Sequence, residues 1–256
     1  MSVPRFLIEN NGSNQNNIKL AIRKAYHLCS VAALQRCSVA ALQRCSVAAL
    51  QRITLLFPAK GTFSHSDIAT FLGEQAVKAL LKDQKIDLGN NIQLDFNIPK
   101  NFSVHGNHDI VLATYLSDKE MDIVDSARNV NSIVFLPWSE IEGKSWLSTW
   151  APERVGPSTG EVQKVQPLSS IGDEILRLGH CINMSTELSH TSDKDMAKRI
   201  FTSLKKQGFR ATEEEIRQFA VNNGWEPVRA KELASFAKKY MGVKLKKLTR
   251  YMFNSS

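Results

Sequence analysis

From Ile53 onward the chain alternates short apolar runs with amphipathic stretches. Ile53–Phe57 (ITLLF) has the length and composition of a buried strand and is stopped by Pro58 and Gly61. Asp67–Lys82 places Ile68, Phe71, Leu72, Ala76, Ala79 and Leu80 on one helical face behind Ser66, a suitable cap. Ile92–Ile98 alternates apolar and polar positions as a half-covered strand does, and Ile110–Leu116 is a further strand. Ser132–Leu136 (SIVFL) is apolar nearly throughout, the pattern of a strand covered on both faces. Ser117 with Glu120, and Ser139 with Glu142, read as capping boxes that open two helices, the second packed by Trp146 and Trp150. This order predicts an α/β domain with a mostly parallel, Rossmann-like three-layer sheet. Pro152, Gly156, Pro157 and Gly160 mark its end.

Beyond His190 the period is helical. Ser192 precedes Asp193–Gln207, where Met196, Ala197, Ile200, Phe201 and Leu204 share a face and Gly208 stops the run. Thr212 and Glu215 form a capping box before Ile216, Phe219 and Ala220. Pro227 opens a third helix carrying Ala230, Leu233, Ala234 and Ala237. A small all-α, three-helix domain is expected here.

Before Ile53 stands the octapeptide CSVAALQR, repeated without a gap as Cys29–Arg36, Cys37–Arg44 and Cys45–Arg52. Its residues are good helix formers, and with Ile18–Leu28 they can continue one long helix. Eight residues advance a helix by about 800°, so each copy is turned roughly 80° from the last. Leu34, Leu42 and Leu50 then spiral round the helix instead of forming one stripe. The copies cannot all be core, and the repeat is expected to be dispensable.

Charge changes the picture at the C-terminal end. From His190 to Ser256 there are 15 Lys and Arg against 7 Asp and Glu, whereas the preceding residues balance at 18 against 18. The whole net charge of +8 therefore sits in the last quarter. Lys238, Lys239, Lys244, Lys246, Lys247 and Arg250 follow Glu232 with no acid among them, interleaved with Tyr240, Tyr251 and Phe253. Clustered cations on a separate module are a footprint of nucleic-acid binding. The helices joined around Asn222–Glu226 can form a helix-turn-helix, with Arg229, Lys231 and Ser235 toward a groove. A protein-docking module and a solubilising tail are the other readings of the same charges.

No apolar run approaches the ~18 residues of a membrane helix, and Met1–Asn10 lacks the pattern of a secretory signal. Three of the four cysteines are copies within the repeat, and none sits at metal spacing. Free thiols in the cytoplasm are expected.

Ligands of parallel sheets sit beyond the carboxyl ends of strands, which draws attention to Pro58–Ser66, Ser117–Lys119 and Pro137–Ser139. The first offers Lys60, Gly61, Thr62, Ser64 and His65 ahead of a helix, an arrangement suited to a phosphate or carboxylate. Its GTFSH resembles the opening motif of prephenate dehydratases, and Pro137–Gly143 (PWSEIEG) is similar to a second motif of that family. The resemblance is confined to these short stretches. The family's Thr-Arg-Phe catalytic signature has no counterpart at a comparable place, so no activity is carried over. His105, His108 and Asp109, in HGNHD, are the densest metal-capable group. GNHD resembles one motif of the calcineurin-like metallophosphoesterases, but the carboxylates that two metals require are not found upstream. A polar turn is expected there, and no metal.

The expected organisation is an N-terminal helical segment (1–52), the α/β domain (53–165), a linker (166–190) and the basic helical domain (191–256). The expected function is a cytoplasmic, non-catalytic regulatory protein whose basic module contacts nucleic acid. The alternatives are an enzyme acting on a phosphate- or carboxylate-bearing ligand or by hydrolysis at the strand-end loops, and a protein-interaction adaptor. No cofactor is implied, and oligomeric state is left open.

Overall fold

Seven strands form one sheet in a computed structural model that describes residues 3–10, 12–41, 50–156, 169–182 and 187–242. The chain runs β1 (Arg5–Ile8), α1 (Gln15–Ala41), β2 (Gln51–Leu56), α2 (Lys60–Phe63), α3 (Asp67–Leu72) and α4 (Glu74–Asp83). Next come β3 (Lys85–Asp87), β4 (Ile92–Asn97), β5 (Asn107–Thr114), α5 (Asp118–Asp125), β6 (Asn129–Leu136), α6 (Lys144–Trp150) and β7 (Glu153–Val155). Helices α7 (Ser169–Cys181), α8 (Thr191–Lys206), α9 (Glu213–Asn222) and α10 (Pro227–Ala237) follow. A π-helical turn, Lys238–Gly242, continues from α10. Contacts divide the chain into two compact units, Met1–Gln163 and Lys164–Ser256.

In the first unit the strand order is β3-β4-β2-β5-β6-β1-β7, all parallel except the edge strand β3. The expected mostly parallel sheet is present. The strands β5 and β6 end in fully buried runs, as continuous apolar sequence requires between two layers. One face of the sheet packs Ile53, Leu55, Leu112 and Val134 against α1, α3 and α4 through Ile18, Ala21, Ala25, Ile68 and Leu80. The other packs Leu56, Val111, Ile133 and Phe135 against α5 and α6 through Met121, Val124 and Trp146.

Several elements differ from the sequence reading. The N-terminal segment was expected to be helical, yet Arg5–Ile8 forms β1, inserted between β6 and β7. Four residues are too short to carry a period, and only their pairing makes them a strand. The single helix expected over Asp67–Lys82 is broken at Gly73, whose φ of +86° ends α3 and whose extended ψ restarts the chain as α4. The expected capping box at Ser139 does not open a helix. Glu142 instead accepts from the Trp138 amide, and α6 begins after Gly143. That glycine has φ +69°, and a Cβ on it would lie 2.3 Å from Phe135 Cε1.

In the second unit the helices expected after His190 are present, and the Thr212–Glu215 capping box closes both ways. Within the stretch read as a linker lies α7, with Ile171, Ile175 and Leu178 buried. The first repeat copy lies within α1, while Gln51 and Arg52 of the third begin β2. Residues 42–49 fall outside the described residues. No helix among the described residues is long and apolar enough to cross a membrane.

Candidate functional site

The sequence directs attention to the carboxyl edge of the sheet, and so does the topology. Between β6 and β1 the connections part, α6 packing on one face and α1 on the other. A crevice opens at such a switch point. Here it is a cavity of about 650 Å³ lined by Glu9, Asn10, Asn14, Asn17, Ser139, Glu142 and Arg154, among others. Buried Asn10 ties its walls together: Nδ2 donates to the carbonyls of Pro137 and Gly12, both at 2.9 Å, and Oδ1 accepts from Asn17 Nδ2 at 3.1 Å. Arg154, on the edge strand β7, is ion-paired with Glu9, yet its Nε is buried with no acceptor among the described residues.

A second divergence lies between β2, which leads to α3, and β5, which leads to α5. Tyr115, just after β5, has φ +57°, a region costly for a residue with a large side chain. Its hydroxyl donates to Asp67 Oδ1 at 3.4 Å, and its ring meets Phe57 and Trp138 edge-on. Burial, then the nearby carboxylate of Asp67 and its hydrogen bond, then Glu142, push the phenol well above its ordinary pKa. Asp67 Oδ2 is enclosed without a donor among the described residues. Trp138 is 41% exposed. The sequence does not single out Tyr115, Glu9 or Arg154, and Asp67 and Trp138 enter only as members of a helix start and a strand-end loop. The three strand-end loops were the legible signal, and they bound this edge.

The other sequence candidates are placed differently. Lys60, Gly61, Thr62, Ser64 and His65 do follow β2, but all five are exposed. Thr62 Oγ1 donates to the Ala59 carbonyl within the same turn. The structure does not gather them around a common point. His105 is exposed as well, whereas His108 and Asp109 lie in β5 at the opposite, amino edge. His108 Nδ1 meets Thr54 Oγ1 and Nε2 meets the Ser103 carbonyl, each at 2.9 Å, while its ring stacks on Phe102. Asp109 accepts from the Arg52 amide at 2.9 Å and from Asn131 Nδ2 at 3.1 Å. These groups tie β5 to its neighbours. Among the described residues there is no group of three or more His, Cys, Asp or Glu that could hold a metal.

A second polar network is buried between β1, α5 and α6. Arg5 Nε and Nη2 both donate to Asp125 Oδ1, which also accepts from Trp146 Nε1, while Oδ2 accepts from Trp150 Nε1 at 2.7 Å. The Arg5 guanidinium lies 3.4 Å from the Trp150 ring centroid. Burial raises the Asp125 pKa and lowers that of Arg5, each opposed by the other's charge.

In the helical unit the cations fall into two sets. Arg217 of α9 pairs with Glu214, Arg229 of α10 with Glu232 at 3.1 Å, and Lys238 of the following turn with Glu213 at 3.1 Å. Lys194 of α8 pairs with Glu232 at 3.3 Å, while Lys231 of α10 is exposed without an ion pair among the described residues. Ser235, expected toward a groove, donates to Glu213. On α8, Lys198, Arg199, Lys205 and Lys206 are exposed and have no ion-pair partner among the described residues. Lys198, Arg199 and Lys206 line an open trough of about 660 Å³ with Thr202, Ser203 and Asp195. Beside the middle of α8 the Tyr240 ring lies 5.5 Å from Lys198 Nζ and 5.2 Å from that of exposed Lys239. Lys244, Lys246, Lys247 and Arg250 lie outside the described residues.

An α/β sheet unit joined to a charged helical unit is thus the class these features define. Residues 175–254, within the helical unit, match a family described as a domain of unknown function (DUF1889). No curated protein and no solved structure matches the chain.

Proposed function

We propose that the chain is a non-catalytic, regulatory binding protein whose basic helical unit contacts nucleic acid. The contact runs along α8 and into the Lys238–Arg250 segment rather than through a recognition helix at α10. One observation carries this reading: Arg217, Arg229 and Lys238 are neutralised by neighbouring carboxylates, whereas Lys198, Arg199, Lys205 and Lys206 of α8 face solvent with no ion-pair partner among the described residues. Unpaired, closely spaced cations release the most condensed counterions from a phosphate backbone. The reading places the protein in the cytoplasm, in keeping with a chain three of whose four cysteines are copies of one repeat position.

The test is fluorescence anisotropy with labelled DNA and RNA over a salt series. Five phosphate contacts, from Lys239, Lys244, Lys246, Lys247 and Arg250, give a slope of log affinity against log salt of about −4.5 on duplex DNA. Replacing Lys198, Arg199 and Lys206 together with Ala flattens the full-chain slope by about 3 units if each meets a phosphate. Arg229→Ala, which removes a cation already paired with Glu232, leaves it unchanged. Truncation must end at Gly242, not at Glu232, because Leu233, Ala234, Ala237 and Met241 are core residues. Equal binding by the full chain, the truncation and the α8 variant removes this reading and leaves protein docking.

A further inference from the structure

The geometry points to the crevice at the carboxyl ends of β1 and β6 as a binding site for a small neutral polyhydroxylated molecule, a sugar or an alditol. The site is independent of the nucleic-acid reading. Its volume, about 650 Å³, lies within the range of small-molecule sites and exceeds what a simple ion needs.

The ligand class follows from how hydrogen-bonding capacity is distributed over the lining. Donors are Arg154 Nε, buried with no acceptor, together with Asn14 Nδ2 and the Ser139 hydroxyl, neither of which has a partner for that group among the described residues. Acceptors are Glu140, exposed and without a hydrogen bond or ion pair among the described residues, and Glu142, which gives one carboxylate oxygen to the Trp138 amide. An inorganic anion would meet Glu140 and Glu142 and find Arg154 already paired with Glu9. A simple ammonium would leave the Arg154, Asn14 and Ser139 donors unmatched. A hydroxyl both donates and accepts, so several of them on one ring or chain can answer both sets at once. Planar side chains of Asn, Glu and Arg suit neighbouring hydroxyls because each offers two parallel hydrogen-bonding atoms.

Trp138 is not itself in the lining but stands next to it in the chain and offers an apolar surface beside the crevice. It lies between Pro137 and Ser139, both in the lining, is 41% exposed, and is held edge-on by Tyr115 with ring centroids 5.2 Å apart. A sugar has apolar C–H faces that an exposed indole can cover while its hydroxyls reach the polar groups. The walls are fixed beforehand by Asn10, whose hydrogen bonds join the loops after β1 and β6.

The experiment is titration of the full chain, by calorimetry and tryptophan fluorescence, with glucose, galactose, mannose, ribose and sorbitol one at a time. Butylamine and inorganic phosphate serve as charged comparators. At least one hydroxylated probe is expected to bind with unit stoichiometry and to alter the fluorescence. Ser139→Ala should weaken it about three- to tenfold and Glu140→Ala about tenfold or more, the ratios for one neutral and one charged hydrogen bond. Trp138→Ala should weaken binding and remove most of the fluorescence change. Ile141→Ala, 72% exposed and outside the lining, should change neither. All these side chains except Ser139 are exposed, so the variants fold, and circular dichroism verifies it. Binding by none of the hydroxylated probes up to about tens of millimolar overturns the proposal. So does binding by butylamine or phosphate in their place, or a hydroxylated probe indifferent to all three site substitutions.

Discussion

At the amino edge of the sheet His108 has both ring nitrogens engaged and Asp109 both oxygens, and nearby Asp125 is enclosed by Arg5, Trp146 and Trp150. At the carboxyl edge, Asp67 Oδ2 and Arg154 Nε are buried without partners among the described residues, and Tyr115 holds a left-handed backbone. Both edges are rich in polar side chains. His108 and Asp109 are taken up by their own strands and neighbours; Asp67 Oδ2 and Arg154 Nε are not. Since buried polar groups are ordinarily satisfied, unused capacity marks a place for a ligand better than the density of reactive residue types does.

That contrast is broken or sharpened by substitutions on the two sides. The largest effect belongs to Asp125→Ala, which takes the carboxylate acceptor from Arg5 Nε and Nη2 and from the indole N–H groups of Trp146 and Trp150. Removing one partner of a buried ion pair costs about 3–5 kcal/mol, readable as a fall in the urea midpoint. A loss under 1 kcal/mol by that measurement, near the worth of an exposed pair, would show that the amino edge is not held by its polar network. His108→Ala comes next. It removes two hydrogen bonds and the stack on Phe102, and about 1–3 kcal/mol of stability is expected to go with them. A chelator should leave the parent's melting temperature unchanged; a drop that His108→Ala abolishes would make this edge a metal site.

Tyr115 probes the other edge through pH. Its folded pKa is raised, so the native state keeps the phenol proton after the unfolded chain has lost it. The stabilisation is complete below the unfolded value of about 10 and declines as pH rises beyond it. The stability advantage of the parent over Tyr115→Phe should therefore shrink between about pH 9 and about pH 11. An advantage that grows over that interval would contradict the direction of the shift.

The smallest effect is expected from deleting Cys37–Arg52. The buried side chains Ile18, Ala21, Ala25 and Cys29 span one face of α1, and Asn90 Nδ2 donates to Tyr26 Oη at the edge where β2 begins. Thus α1 has already crossed the sheet before most of the repeat. Because the copies are identical, the deletion leaves one Gln-Arg pair ahead of Ile53 to start β2. A shorter connection costs little closure entropy, so the urea midpoint should move by no more than about 0.5 kcal/mol equivalent. Loss of cooperative unfolding would show that the repeat belongs to the core.

The long apolar periods were legible: β2, β4, β5, β6 and the helices α5, α8, α9 and α10 all follow from local pattern and caps. The candidate crevice was legible only as a set of loops. Glu9, Asn10 and Arg154 reach it because β1 inserts between β6 and β7, a pairing of very short strands that no local signal announces. HGNHD reads as a polar turn, yet its last three residues already belong to β5, where His108 and Asp109 are held by neighbours distant in sequence.

Local sequence settled where apolar periods run, where caps sit and that the positive charge gathers beyond residue 189, because each depends only on residue type and spacing. Tertiary structure alone decided the fate of the repeat. Gln35 and Arg36 end its first copy inside α1, while the same dipeptide, Gln51 and Arg52, ends the third as the start of β2. Gln51 is 1% exposed and stands opposite Ile92 in the ladder. Identical neighbours on the N-terminal side give identical local propensity. What differs is the Ile53–Leu56 run that follows the third copy and the strands it pairs with, and pairing overrides propensities worth only tenths of a kcal/mol, about 0–0.7 per residue.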